Sequence, residues 1–496
     1  MLATRIAHQA DMPCLLLRCG DFCAPGQPSL HLGPPPCYHL LRKHLHVTSS
    51  PRTSKTYKAN HPRQFQINSP SSQISLLPHI FASNLRNVSR HSVRPFASRI
   101  TASHAKDILA RDRARAQKLL LGLHPHGPAA FREARRKRHH GHHGAGGPTG
   151  GEAEPSAGDA GVDVTDAGVT YTTSVGVGSP ATQYTLLIDT GSSNTWIGAD
   201  KKYVKTSTSK STGKTVNVSY GSGSFSGTEY TDTVTLAPGL VIESQSIGVA
   251  SSAQGFSGVD GILGIGPVDL TQGTVSGTES VPTVTDNLFA QGTISEDSIG
   301  IFYEPTTTEG ATNGELTFGG TDSTKYTGAI TSVPITSTSP ASNYWGIDQD
   351  VSYGDSTSLL SGSAGIVDTG TTLLLIATDA FQAYQKATGA KEDQTTGLLT
   401  LTASQFNKLQ SLFFTIGETT FELTANAQIW PRSLNSVIGG EEGKIYLVVS
   451  DLGSPSGQGL DFINGFAFLQ RFYSVFDTGN TQVGLATTPF TDATTN

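Results

Sequence analysis

Leu187-Ile188-Asp189-Thr190-Gly191-Ser192-Ser193 and, 179 residues further on (368 minus 189), Ile366-Val367-Asp368-Thr369-Gly370-Thr371-Thr372 spell one pattern twice. In each copy apolar, β-forming residues carry an aspartate to the end of a buried strand, and a glycine permits the sharp turn that leaves the carboxylate at a loop tip. Ser192 and Thr371 stand three residues beyond their aspartates, where a hydroxyl can hydrogen-bond back to the turn and its carboxylate. A duplicated segment with one aspartate per half is what a site on a pseudo-twofold axis needs. Asp477-Thr478-Gly479 is a third copy, but Asn480 follows it and too little chain remains for another lobe, so a structural turn is expected there.

Around these segments the texture is that of an all-β chain. From Val164 onward, runs rich in Thr, Ser, Val, Ile, Tyr and Phe are broken by glycine, as at 171–177, 184–188, 229–236, 314–318 and 444–449. Helices are predicted only at 284–291, 380–388 and 403–411. Ahead of this region, residues 103–123 alternate Ile108, Leu109, Ala116, Leu119, Leu120 and Leu121 with Arg111, Asp112, Arg113, Arg115 and Lys118 in a helical pattern. A basic run ending in Arg135 to Arg138 and a histidine tract then lead into a Gly/Pro-rich linker. The tract could bind metal or sense pH; the plainer reading is a solvated segment removed on maturation. Residues 1–100 are expected to be disordered, or to be an extension from a wrongly assigned start codon. Their longest apolar run is Cys14 to Leu17, too short for a secretory leader, and their Arg-rich composition also fits an organelle transit peptide. The organisation read from sequence is thus an N-terminal extension (1–100), a basic propeptide and linker (101–163), an N-terminal lobe (164–330) and a C-terminal lobe (331–496).

Charge divides the same way. Residues 1–150 hold 22 Lys/Arg and 5 Asp/Glu, and residues 151–496 hold 12 and 35, so a front of +17 precedes a body of -23. All fifteen histidines and all four cysteines precede residue 144. The body therefore cannot run Ser/His/Asp or Cys/His nucleophilic chemistry, nor build a zinc site from imidazoles and thiolates. Carboxylates are what remain for acid/base work. The acidic excess fits either an acidic working environment or simple solubility. No segment approaches the roughly 20 apolar residues of a membrane-spanning helix, and neither a metal, a cofactor nor a nucleic-acid partner is called for.

With these residues in view, the chain from about Val164 to its end resembles the pepsin-like aspartic proteases, and within them the polyporopepsin-type fungal enzymes, which also lack cysteines in the mature protein. Members carry hydrophobic-hydrophobic-Asp-Thr-Gly-Ser/Thr in each lobe, as at Asp189 and Asp368. Ile262-Leu263-Gly264 matches the later strand that threads the first active-site loop. Ile463-Asn464-Gly465 matches its counterpart with a polar Asn464, and Phe466 replaces the usual Asp. Tyr220-Gly221-Ser222-Gly223 resembles the flap, and Trp196 the indole that holds the flap tyrosine; Trp345 is read as core.

The resemblance implies a bilobal all-β fold with pseudo-twofold lobes, and an endopeptidase working in acid through a water activated by Asp189 and Asp368. Substrate contacts are implied for Tyr220, Gly221, Ser222, Gly223, Gly191, Gly370, Ser192 and Thr371. Ile262 and Phe256 are implied to line the pocket before the cleaved bond and Ile366 the one after, with hydrophobic side chains preferred on both sides. Thr190, Thr369 and Trp196 are implied as structural support. Protein or peptide substrates, a monomeric state and secretion follow from the same likeness. The basic front suggests that the propeptide docks on the acidic body as an intramolecular inhibitor, with acid release and cleavage between about Arg138 and Val164, or processing at the Arg135 to Arg138 cluster by another protease. Two rivals are an inactive pepsin-like binding protein, which would have lost an aspartate or the flap tyrosine, and a two-carboxylate glycosidase. Neither explains an intact duplicated motif. Asn87-Val88-Ser89 and Asn217-Val218-Ser219 fit N-glycan acceptors.

Overall fold

The computed structural model describes residues 105–121, 160–221, 223–308 and 310–496, with the backbone of 96–97. The chain is built almost wholly from strands, as its β-branched, glycine-punctuated texture dictates. A 13-stranded sheet collects the strands of the first half together with 327–334, 472–477 and 482–487, and a 7-stranded sheet carries most of the second half.

The sequence repeat is a repeat of topology. Strand Gly261–Gly264 lies parallel to Thr182–Asp189, with Ile262 opposite Leu187 and Gly264 opposite Asp189, and antiparallel to Trp196–Ile197. In the second half Phe462–Asn464 lies parallel to Thr357–Val367, with Ile463 opposite Ile366, and antiparallel to Leu374–Ile376. Leu186 to Ile188 and Ile262 to Leu263 are fully buried, so successive side chains on both faces of these strands are covered and the sequence reads as continuous apolar runs. Asp189 ends one such strand and Asp368 directly follows the other, so a paired strand delivers each carboxylate.

The departures from the family pattern have packing reasons. Asn464 is buried, and its side-chain amide donates to Gln349 Oε1 at 2.9 Å while Gln349 Nε2 donates back at 3.4 Å. A buried amide is tolerated when a second amide satisfies it. Phe466 opens a short helix and packs its ring 5.4 Å from that of Tyr171. Trp345 is core as expected, its indole N–H donating to the Ile265 carbonyl at 3.2 Å. Asp477 accepts from the Asn480 backbone N–H at 2.8 Å and closes the hairpin between Phe472–Asp477 and Gln482–Thr487. Two sequence-level expectations change: the helix at 403–411 is only Ala403–Phe406, and 444–449 is not one strand but Ile445–Tyr446 followed by Val449–Asp451.

Helix α1, Ala105–Leu120, packs against this body. Its apolar side chains Ile108, Leu109, Ala116 and Leu119 are buried in one cluster with Tyr344, Ile366, Leu373 and Leu375. Each fully buried Leu or Ile contributes about 1.5–3 kcal/mol.

Candidate active site

The two aspartate loops meet tip to tip between the halves, and both carboxylates are fully buried. A symmetric set of bonds locks the loops together. The Thr190 backbone N–H donates to Thr369 Oγ1 at 2.9 Å, and the Thr369 N–H donates to Thr190 Oγ1 at 3.0 Å. Each hydroxyl then donates onward across the interface, Thr190 to the Val367 carbonyl and Thr369 to the Ile188 carbonyl. Four bonds around a local twofold leave little freedom to either loop.

The same symmetry governs the carboxylates. Asp189 accepts from Gly191 N–H at 3.0 Å and from Ser192 Oγ at 2.5 Å; Asp368 accepts from Gly370 N–H at 3.0 Å and from Thr371 Oγ1 at 2.6 Å. A Cβ on Gly191 would lie 2.7 Å from Asp368 Oδ1, and one on Gly370 would lie 2.5 Å from Asp189 Oδ1. Glycine at both positions is therefore what lets each carboxylate approach the opposite loop.

Arg115 of α1 occupies the space between them. Its Nη2 donates to Asp189 Oδ1 at 2.5 Å and to Asp368 Oδ1 at 2.9 Å, and its Nε donates to Asp368 Oδ2 at 2.7 Å. Asp112, one helical turn earlier, accepts from the backbone N–H groups of Thr372 and Leu373 at 3.0 and 2.9 Å. Arg111 donates to Thr372 Oγ1 and lies 3.5 Å from Asp112. Burial raises the Asp189 carboxyl above the usual range; the Arg115 charge opposes this and the Asp368 carboxylate adds to it. Burial works against the Arg115 charge, yet the two carboxylates more than offset it and its pKa is raised.

Above the pair, Tyr220 directly follows the strand Lys210–Ser219 and packs its ring against Phe256, 5.6 Å away at 87°, and toward Trp196, 6.5 Å away. Trp196 is enclosed by Phe225 and Phe256, and Ile262 belongs to the same buried cluster. Trp196 and Ser192 are the polar neighbours of the Tyr220 hydroxyl inside this aromatic cluster. Gly221 has φ of +74°, and a Cβ there would come within 2.6 Å of the Ala114 carbonyl, so the hairpin closes directly on α1. Gly223 lies over Phe256, and Ser222 falls outside the described residues.

Two carboxylates held by reciprocal loops, beneath a tyrosine hairpin and between duplicated β halves, define an acid/base pair able to activate a water. The chain belongs to the eukaryotic aspartyl protease family, whose pattern it matches over residues 170–488. It is an aspartic endopeptidase, a hydrolase. It is 69% identical to polyporopepsin of Irpex lacteus, over 66% of this chain and 97% of that one. It is 35% identical to rhizopuspepsin-1 of Rhizopus niveus, over 64% of this chain and 79% of that one. The crystal structure of the aspartic proteinase from Irpex lacteus superposes with a TM-score of 0.67 at 68% identity, covering 68% of this chain and all of that one.

The structure brings together Asp189, Asp368, Thr190, Thr369, Gly191, Gly370, Ser192 and Thr371, with Tyr220, Gly221, Trp196, Phe256 and Ile262 above Asp189 and Ile366 in the strand leading to Asp368. Sequence reasoning missed that Arg111, Asp112 and Arg115 are buried; it took them for charges interleaved with the apolar face. The signal was present: Ile108, Asp112, Arg115 and Leu119 recur at the spacing of one helical face.

Proposed function

We propose that the chain is made as a precursor whose helix α1 closes its own catalytic pair, and that the released enzyme hydrolyses peptide bonds in acid through Asp189 and Asp368. The observation that carries this reading is the Arg115 guanidinium seated between both carboxylates. In the open enzyme the pair shares one proton, because two adjacent buried carboxylates cannot both ionise. The ionised member takes a proton from a water whose oxygen attacks the scissile carbonyl carbon. The protonated member gives its proton to the carbonyl oxygen. Proton transfer to the amide nitrogen then breaks the C–N bond and releases acid and amine, with no covalent enzyme intermediate.

The hairpin carrying Tyr220, Gly221, Ser222 and Gly223 closes over an extended peptide and excludes water. Ile262 and Phe256, beside Tyr220, line the pocket before the cleaved bond, and Ile366 lines the one after it. Support for hydrophobic preference is the apolar character of both clusters, the second of which already accepts Leu119 of α1. One chain supplies both aspartates, so a monomer suffices. Export belongs to the same reading, since a protease confined to acid finds that condition outside the cytosol.

Acid release follows from proton counts. With α1 docked, Arg115 opposes protonation of the pair; with α1 gone, the pair keeps a proton in acid. Loss of the Arg115 charge favours protonation of Asp189 in the open state as pH falls, whereas the burial that raises the Asp189 carboxyl in the docked state works against release. Asp112 also acts against release: burial raises its pKa in the docked state, so protonation there favours docking. Release thus depends on the catalytic pair outweighing Asp112. The proposed cleavage lies between about Arg138 and Val164, and the pairing of Ala160 with Phe318 in the 13-stranded sheet supports a site toward the start of that span. Acidified alone, purified precursor should shorten itself, and Asp189→Ala precursor should not. Shortening of that variant would assign maturation to another protease.

A further inference from the structure

We infer that Asn217 carries an N-linked oligosaccharide that guards one end of the catalytic cleft against folded proteins; the inference rests on the export reading above. Asn217-Val218-Ser219 is the only Asn-X-Ser/Thr triplet between residues 160 and 496. The fold leaves it open to modification. Asn217 and Ser219 are both exposed, while the alternate residues Val216 and Tyr220 are buried. The backbone is already fixed without the side chain: the Asn217 N–H donates to the Thr274 carbonyl at 2.9 Å, and Asn217 pairs with Ser226 across the hairpin. The strand is the last of its sheet, and residues 274–276 meet its backbone through the Val216–Val275 bridge while the Asn217 side chain stays exposed.

Position gives the modification its consequence. Asn217 stands three residues before Tyr220 and on the rim of a cavity of about 240 Å³ lined also by Arg115, Leu119, Ser192 and Tyr220. A sugar chain rooted here starts from the hairpin strand beside the Asp189 loop. It leaves room for a thin, extended peptide but meets any globular surface brought toward the pair. In the transfer, the Asn217 amide nitrogen bonds to the anomeric carbon of an oligosaccharide carried on a lipid diphosphate; the lipid diphosphate leaves and the amide gives up one proton.

The test secretes the full chain from a eukaryotic host behind a foreign leader, so that entry into the glycosylating compartment does not depend on residues 1–100. Enzymatic glycan release in heavy-oxygen water should convert Asn217 to a heavy-labelled aspartate in most molecules, and Asn217→Gln should lose one glycan's mass. Unlabelled Asn217 in exported protein overturns the inference, whether or not the enzyme is active. For the acid-processed enzyme, trimming to a single sugar should raise kcat/KM severalfold on a folded protein and leave it unchanged on a short peptide. Equal effects on both substrates, or none, overturn the guarding role. Failure of export with the native N-terminus would strike only the export reading.

Discussion

The two aspartate loops are near copies in how they hold their carboxylates and unlike in how they are held shut. Each aspartate has one backbone N–H and one hydroxyl donor at matching distances, and each threonine bonds its counterpart. Against the first loop, α1 sets Arg115. Against the second it adds Asp112 on two backbone N–H groups, Arg111 on Thr372, and an ion pair of Arg113 with Asp451 at 3.1 Å. The Tyr344 hydroxyl also donates to the Leu119 carbonyl. The proposed chemistry demands symmetry because it has the two carboxylates share one proton. The proposed inhibition needs only one firm anchor from which a guanidinium can reach across to the other side.

The comparison is broken most severely by the aspartates themselves: Asp189→Asn and Asp368→Asn should each lower the peptidase rate of processed enzyme by about 10²–10⁴-fold. A large loss in only one would show that the loops are not chemically equivalent. Arg115→Ala removes the one group that spans both loops and strips a buried ion pair of its cation, at a cost of about 3–5 kcal/mol to docking. Its precursor should be processed at higher pH than the parent. Asp112→Ala tests the second-loop anchor alone. It orphans the Thr372 and Leu373 N–H groups, costs about 1–3 kcal/mol, and should speed exchange of those two amides while the Gly191 amide is unchanged.

The body has its own pH limit. Glu229 is buried with Ser246 as hydroxyl donor, and burial pushes its carboxyl up to about 7. The folded state thus holds this proton more tightly than the unfolded chain, and stability falls as pH rises from the ordinary glutamate range toward 7. Glu229→Gln should flatten the fall in Tm over that interval, and an unchanged slope would remove Glu229 from the explanation. The smallest effects sharpen the symmetry: Ser192→Ala and Thr371→Ala each delete one donor worth about 1 kcal/mol. Both should lower kcat/KM by similar factors, roughly fivefold, whereas a loss in one alone would distinguish the loops.

Much of this site is legible in the sequence because it is local. The apolar runs before Asp189 and Asp368, the glycines two residues on and the hydroxyls three residues on all sit within single loops. The repeat then tells which of the three Asp-Thr-Gly copies matter. What the sequence hides is long-range. Asn464 looks misplaced until Gln349, 115 residues earlier, is found facing it. Arg115 and Asp112 read as solvated charges because a helix's charged residues usually face water, and only the partner loops far along the chain reveal why burial suits them. The helix predicted at 403–411 stops at Phe406, although its Thr402 and Gln405 form a good capping box, since capping starts a helix without extending it.

The most direct measurement is binding of the aspartic-protease inhibitor pepstatin to purified precursor kept at a pH where no processing occurs. Parent precursor should not bind, and Arg115→Ala precursor should bind without acidification because the space between Asp189 and Asp368 has been vacated. Equal, tight binding by both would contradict the placement of Arg115 between the carboxylates as the element that closes the site.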